Sequence, residues 1–200
     1  MRSPWQRAIG GLAESLDPGL REYFDAIPRG YVGRGVGVFD VVGTPRRWLW
    51  PVLRLLAADG VLAPTWSRNV PFSVENRPTE WGTIQAIRHF SLPNGDFVMV
   101  DETGMTRQGL ADRLGFRGSV VARLHARVVD GHLELRSTGA SLFGIPLGPF
   151  APVLTLIERT APSSALGRQH VSLTLDAPLI GRIYEYSGSF NYTVQEDTSV

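Results

Sequence analysis

The sequence predicts a mainly β protein (α+β), its antiparallel strands forming either a strongly curved sheet or a barrel of roughly 8–10 strands. Short N-terminal helices precede the strands, and one helix follows the first of them. Three observations predict this class. From about residue 70 apolar and polar residues alternate with period two. The strand-like runs are joined by short turn sequences, and short connections imply antiparallel neighbours because parallel strands need long crossovers. So many antiparallel strands in one small domain curl or close, since closure removes exposed edges.

Residues 1–28 form the N-terminal helical segment. Trp5, Ile9, Leu12 and Leu16 recur at helical spacing, which predicts a short amphipathic helix over 5–16. Asp17 is placed to cap a second helix, with Pro18 at its first position and Leu20, Tyr23, Phe24 and Ile27 as its apolar face. Pro28 ends it.

The β-rich body spans 30–195. In the stretch 31–43, Val32, Val36, Val38 and Val42 share one strand face, and Gly33, Gly35, Gly37 and Phe39 the other. Three glycines on one face let another group approach closely. They are not a phosphate loop, because the spacing is neither G-x-G-x-x-G nor a P-loop and the chain has no Lys. Thr44-Pro45 opens a helix to about Ala58, with Gly60 just beyond it. Trp48, Leu49, Val52, Leu55 and Leu56 form its stripe, and Pro51 either kinks the helix or starts it. Val70, Phe72 and Val74 alternate, as do Ile84, Ala86 and Phe90. A strand over 96–102 follows the turn Pro93-Asn94-Gly95, and Leu110 to Phe116 forms another. In 119–129, Val120, Ala122, Leu124, Ala126 and Val128 oppose Arg123, His125 and Arg127. Asp130-Gly131 is the clearest hairpin turn, and 132–137 returns from it. The Pro/Gly-rich stretch 141–152 interrupts the rhythm. Strands at 153–161, 168–176 and 182–195 complete the set, separated by Pro162-Ser163-Ser164 and by Ala177 to Gly181. Residues 196–200 read as a frayed tail. The whole chain, 1–200, is one domain with no internal repeat.

Composition narrows the function. Net charge is +1, so no global field selects nucleic acid or an anionic surface. There is no Cys, which removes disulfides, thiolate metal sites and cysteine nucleophiles, and agrees with a reducing, cytoplasmic setting. The N-terminus lacks an unbroken apolar run of the signal-peptide type. No window approaches the roughly 20 apolar residues of a spanning helix.

No catalytic motif stands out. His89, His125, His132 and His170 offer no i,i+2 or i,i+4 pair, although His125 and His132 could face each other across the hairpin. No metal site and no cofactor are expected. Ser141 in a Gly-Ala-Ser-Leu-Phe-Gly run is not a nucleophile elbow. Asp101 and Glu102 adjoin and so point to opposite faces. Glu158 lies on the face of Leu154 and Leu156, while Glu185 lies between Tyr184 and Tyr186. Arg88 shares a face with Ile84, Ala86 and Phe90. An arginine there either pairs inside a structural network or holds a ligand. Tyr184, Tyr186, Phe190 and Tyr192 share one face, which suits either a pocket lining with polar handles or an ordinary core.

Certain segments resemble a known family. Residues 144–152 (GIPLGPFAP) and 175–190 (LDAPLIGRIYEYSGSF) are similar to a bacterial family that is one of the numbered domains of unknown function. Its small-Pro-Leu-Ile-Gly segment before a Tyr-x-Gly strand corresponds to Pro178, Leu179, Ile180, Gly181, Tyr186, Ser187 and Gly188. Trp81, Arg88 and Phe90 resemble its Trp/Arg/Phe strand signature. The likeness spans about 17–193. It implies one small β-rich domain, found alone or fused behind reductase modules similar to saccharopine dehydrogenase, and no catalytic residue.

These readings lead to a ranked expectation. The first is a non-catalytic pocket for an apolar or lipid-like small molecule, using Arg88, Phe90, Glu158, Tyr184, Tyr186, Phe190 and Tyr192. The second is an enzyme built on Glu158, Glu185, Arg88 or His125. The third is an interaction module, with Trp48, Trp50 and Leu55 as a lid or as a surface docking on a reductase-like partner or a membrane. Nucleic acid is not an expected partner, because only Arg182 lies near the aromatic face.

Overall fold

The computed structural model describes residues 2–161 and 168–198. Helices α1 (Pro4–Ile9) and α2 (Pro18–Phe24) come first. Strand β1 (Tyr31–Gly43) leads into α3 (Trp50–Ala57). The remaining strands are β2 (Trp66–Pro78), β3 (Ile84–Leu92), β4 (Gly95–Thr106), β5 (Gly109–Leu114), β6 (Val120–Val129), β7 (His132–Leu142), β8 (Ile145–Pro146), β9 (Val153–Thr160), β10 (Gln169–Ala177) and β11 (Gly181–Glu196).

The sheet order is β6-β5-β4-β3-β2-β1-β11-β10-β9-β7-β8, and β6 also pairs with β7. That last pairing closes a barrel of ten strands, with the two-residue β8 hung outside on β7. Each hydrogen-bonded pair is antiparallel. The barrel has two distinct ends. The N-terminal helices close one, and α3 lies across the other as part of the β1–β2 connection.

Alternation sets which side chains enter the barrel. Val70, Phe72, Val74, Ile84, Ala86 and Phe90 are buried as the period-two pattern requires, and Tyr184, Tyr186 and Phe190 join them. The outer wall carries cross-strand ion pairs, such as Arg34 with Glu75 and Arg182 with Asp176. Asp130 and Gly131 both take positive φ (48° and 80°), which fits the two-residue hairpin turn between β6 and β7.

Several local expectations change. The first helix is α only to Ile9, and 10–15 continue as a 3₁₀ helix. Ser3 and Gln6 form a reciprocal capping box at its start. Asp17 does not cap α2 with its side chain. Its carboxylate lies against the β6–β7 turn instead, 3.8 Å from His132 Nδ1. The helix after β1 begins with a 3₁₀ turn (Arg47–Leu49), and Pro51 sits in the first turn of α3, so it starts that helix rather than kinking it. The expected stripe splits across this junction, because 3₁₀ and α turns advance differently per residue. Leu53 is buried and Leu49 and Leu56 pack on the core, Val52 is partly exposed at the edge of the lid, and Trp48 and Leu55 face outward.

In β1 a bulge between Phe39 and Val41 shifts the register. Val42 therefore turns inward, whereas Val36 and Val38 are exposed outside. His125 pairs in register with Arg136, and His132 with Val129, so the two histidines do not meet across the hairpin. Glu196 belongs to β11, and the Asp197 backbone N–H donates to Gly30 O at 2.8 Å, so these two residues of the expected frayed tail are held in place, while 199–200 lie outside the described residues. The expected turn at 162–164 lies outside the described residues.

Candidate functional site

The part of the barrel walled by β1, β2, β3 and β11 is filled with rings, which Tyr23 of α2 joins. Tyr23 from α2 stacks edge-on to Tyr192 (centroids 4.7 Å apart) and to Phe190 (5.8 Å). Phe39 contacts Phe72 at 4.4 Å and Tyr186 at 5.3 Å. The β1 glycines make room for this. A Cβ on Gly35 would lie 2.9 Å from Phe190 Cδ2, and one on Gly33 would collide with the Tyr192 hydroxyl. What remains empty here is about 20 Å³, bordered by Tyr23, Phe39, Arg88, Glu158 and Tyr186. That is about one water's worth of space and too small for an organic ligand.

The half beneath α3 is hollow. A cavity of about 310 Å³ lies there, at the lower end of the ~300–1,000 Å³ range of small-molecule sites. Most inward positions at this level are smaller or aliphatic, Arg88, Tyr184 and Tyr186 excepted. Ala122, Leu124, Leu135, Leu154, Leu156 and Leu173 form much of the wall. Leu49, Val52, Leu53 and Leu56 roof it. The lid is fastened on one side, where Val100 N–H donates to Gly60 O at 3.0 Å and Phe116 N–H donates to Asp59 O at 2.8 Å.

A charged layer separates the halves. Arg88 on β3 pairs with Asp101 on β4, and both border the large cavity. In-register pairing explains the contact, since Arg88 opposes Met99, leaving Asp101 one inward step away. Asp112 on β5 also reaches the cavity floor, where the Thr103 hydroxyl donates to it at 3.1 Å. Burial raises the Asp112 pKa, against the pull of Arg88 and Thr103. Burial also works against the charged form of Arg88, but the surrounding Tyr23, Tyr186 and Asp112 oxygens outweigh it and keep the guanidinium charged. Across the barrel, Glu158 is buried, with the Gln169 amide donating to it. Burial lifts Glu158 from 4.5 to about 7, opposed by Arg88 and Gln169. Burial likewise pushes Tyr186 up to about 12, so its hydroxyl stays protonated.

The candidate residues thus divide. Arg88, Tyr184 and Tyr186 line the large cavity. Glu158 and Phe190 border the small void, Phe90 sits in the aromatic core, and Tyr192 accepts a hydrogen bond from Asn76. Trp50 is half-buried under Arg47, while Trp48 and Leu55 are exposed on the outer face of the lid. Of the groups considered for catalysis, Arg88 and Glu158 share the small void. Glu185 pairs with Arg182 outside, and His125 is exposed on the outer wall. Among the described residues no cluster of three or more His, Asp or Glu side chains is placed to hold a metal.

Asp112 escaped the sequence reading. Its signal was the Leu110–Asp112–Leu114 alternation, which sets one carboxylate on an apolar face. Asp101 was visible only as one of two adjacent acids, with its inward face unassigned.

Among the described residues no helix is long and apolar enough to cross a membrane. No curated protein and no solved structure matches the chain. A family profile described as "Domain of unknown function (DUF4166)" matches residues 16–190, from just before α2 to within β11, and so takes in the floor, the walls and the lid of the cavity. The chain therefore belongs to the DUF4166 family.

Proposed function

We propose that the barrel binds one slender apolar molecule in the cavity beneath α3, without catalysis. The supporting observation is the 310 Å³ hollow walled mostly by leucines, with its charged groups gathered at the floor. An empty apolar space of this size forfeits contacts that a ligand would restore. The floor also suggests the chemistry of the ligand's polar end. Arg88 is already neutralised by Asp101, and Asp112 adds a further carboxyl. A ligand carboxylate would meet two acids, whereas a hydroxyl or amide N–H would find acceptors. The class is therefore a long-chain alcohol, amide or similar neutral amphiphile.

The test is displacement of an environment-sensitive apolar dye from the purified protein. Hexadecanol should displace it well, and hexadecanoate roughly tenfold less well at neutral pH. Native mass spectrometry and organic extraction then look for a co-purifying molecule. A barrel that takes up no dye and carries no extractable ligand would rule the proposal out.

A further inference from the structure

The lid end of the barrel carries apolar side chains that the fold does not use. Trp48 and Leu55 stand on the outer face of the lid at 60% and 75% exposure. Phe116 comes from the β5–β6 connection, Phe143 and Phe150 from the segment between β7 and β9, and Leu179 from the β10–β11 turn. They arise from four separate connections, all at the lid end of the barrel. Isolated exposed hydrophobics need no explanation, but a concentration of large ones at one end marks an interaction surface.

Two of these residues sit where turn geometry argues against them. Leu179 has φ 65° and Phe143 has φ 50°, in the left-handed region that favours Gly or Asn. Leu179 is fully exposed, so neither packing nor backbone preference accounts for leucine at that turn.

Charge points to the partner. The lid-end connections span 44–65, 93–94, 115–119, 143–152 and 178–180. They carry Arg46, Arg47, Arg54 and Arg117 against Asp59 alone. Asp59 is turned back onto the protein, where its Oδ1 accepts from Arg117 N–H at 3.0 Å. The connections at the opposite end mix signs, with Glu14, Asp17, Glu22, Asp25, Glu80 and Asp130 beside Arg2, Arg7, Arg21, Arg29 and Arg107. Aromatic and leucine side chains fringed by arginines are the composition of a surface that dips into the headgroup layer of an anionic bilayer.

We infer that the lid end docks on anionic phospholipid membranes, with the cavity mouth facing the bilayer. This surface stands whether or not the cavity is ever filled. Vesicle flotation of the full chain tests it, using phosphatidylcholine with and without phosphatidylglycerol. The expected result is binding to the anionic vesicles, weakened by salt, with Trp emission shifted to the blue. The triple variant Phe116→Asp, Phe150→Asp, Leu179→Asp should lose roughly tenfold or more in partitioning. None of these three lines the cavity, so dye uptake in solution and near-UV circular dichroism should be unchanged. No flotation on any vesicle, equal flotation on both lipid compositions, or a triple variant that floats like the parent overturns the inference. So does a concentration-dependent dimer that the triple variant abolishes, because the rim would then be covered by a second copy.

Discussion

The two parts of the barrel share the same alternation and the same closure, yet one is packed solid and the other is hollow. Side-chain size decides this. On the side walled by β1, β2, β3 and β11 the inward positions are Phe39, Phe72, Phe90 and Phe190, and Tyr23 of α2 packs edge-on against Phe190. Gly33, Gly35 and Gly37 strip one wall of side chains so that the rings fit. Around the cavity β4 to β7, β9 and β10 present mostly leucine, alanine and serine, with Tyr184 and Tyr186 from β11, and α3 buries only Leu53 deeply. A helix plug carrying rings fills its end, whereas a lid carrying leucines roofs a space. Closure of a sheet therefore fixes the circumference, and residue choice along each strand determines whether that circumference holds a core or a cavity.

Matched truncations test this contrast most severely. Phe39→Ala in the packed half removes a ring that touches Phe72, Phe90 and Tyr186, and should cost about 3–5 kcal/mol. Leu124→Ala in the hollow half removes atoms that already face empty space, and should cost less than about 2 kcal/mol. Urea unfolding of both variants gives the comparison. Equal losses would mean the hollow half closes up in solution.

The boundary layer gives the next effect. Glu158 has its pKa raised from 4.5 to about 7 in the folded protein, chiefly by burial. Its neutral form is therefore favoured by folding. The contribution is fully present below the unfolded pKa and is lost as pH rises through about 7. By linkage the loss at pH 8 is about 3 kcal/mol. Glu158→Gln holds the neutral form at every pH. The two proteins should unfold alike near pH 4, diverge between about pH 4.5 and 7 and keep a constant difference above that, with the variant more stable. Parallel stability–pH curves would show that Glu158 is not desolvated.

The class of fold was legible because alternation over β2, β3, β6 and β11 survives whatever the barrel contains. The Asp130-Gly131 turn was legible because left-handed geometry selects those residues. Helix details failed where a 3₁₀ turn met α3, since a single period cannot describe both. The site was half legible. Arg88 stood out as a charge on an apolar face, but its partner depended on the β3–β4 register, which spacing alone does not give. Asp112 required β5 to be placed before its parity meant anything. A pocket was expected from the strand number and the aromatic face, but its place in the barrel was not readable: leucine-rich inward faces look the same whether they meet in the middle or stop short of one another.

The smallest expected stability change, paired with a clear change in binding, comes from filling the hollow directly. Ala122 is on the inner face of β6, opposite Ala140 on β7 in register, and its methyl group points into the cavity. In a packed core, added methylenes cost about 1–3 kcal/mol because neighbours must move. Ala122→Leu places its extra atoms in free volume, so the cost should stay below about 1 kcal/mol, or turn into a gain through new contacts. The same atoms occupy space a ligand would need, so apolar dye should bind at least several-fold more weakly. Stability and binding thus move independently at this position. A variant as unstable as an overpacked core mutant would show that the walls beneath α3 already touch, and dye binding at full strength would show that the ligand lodges elsewhere.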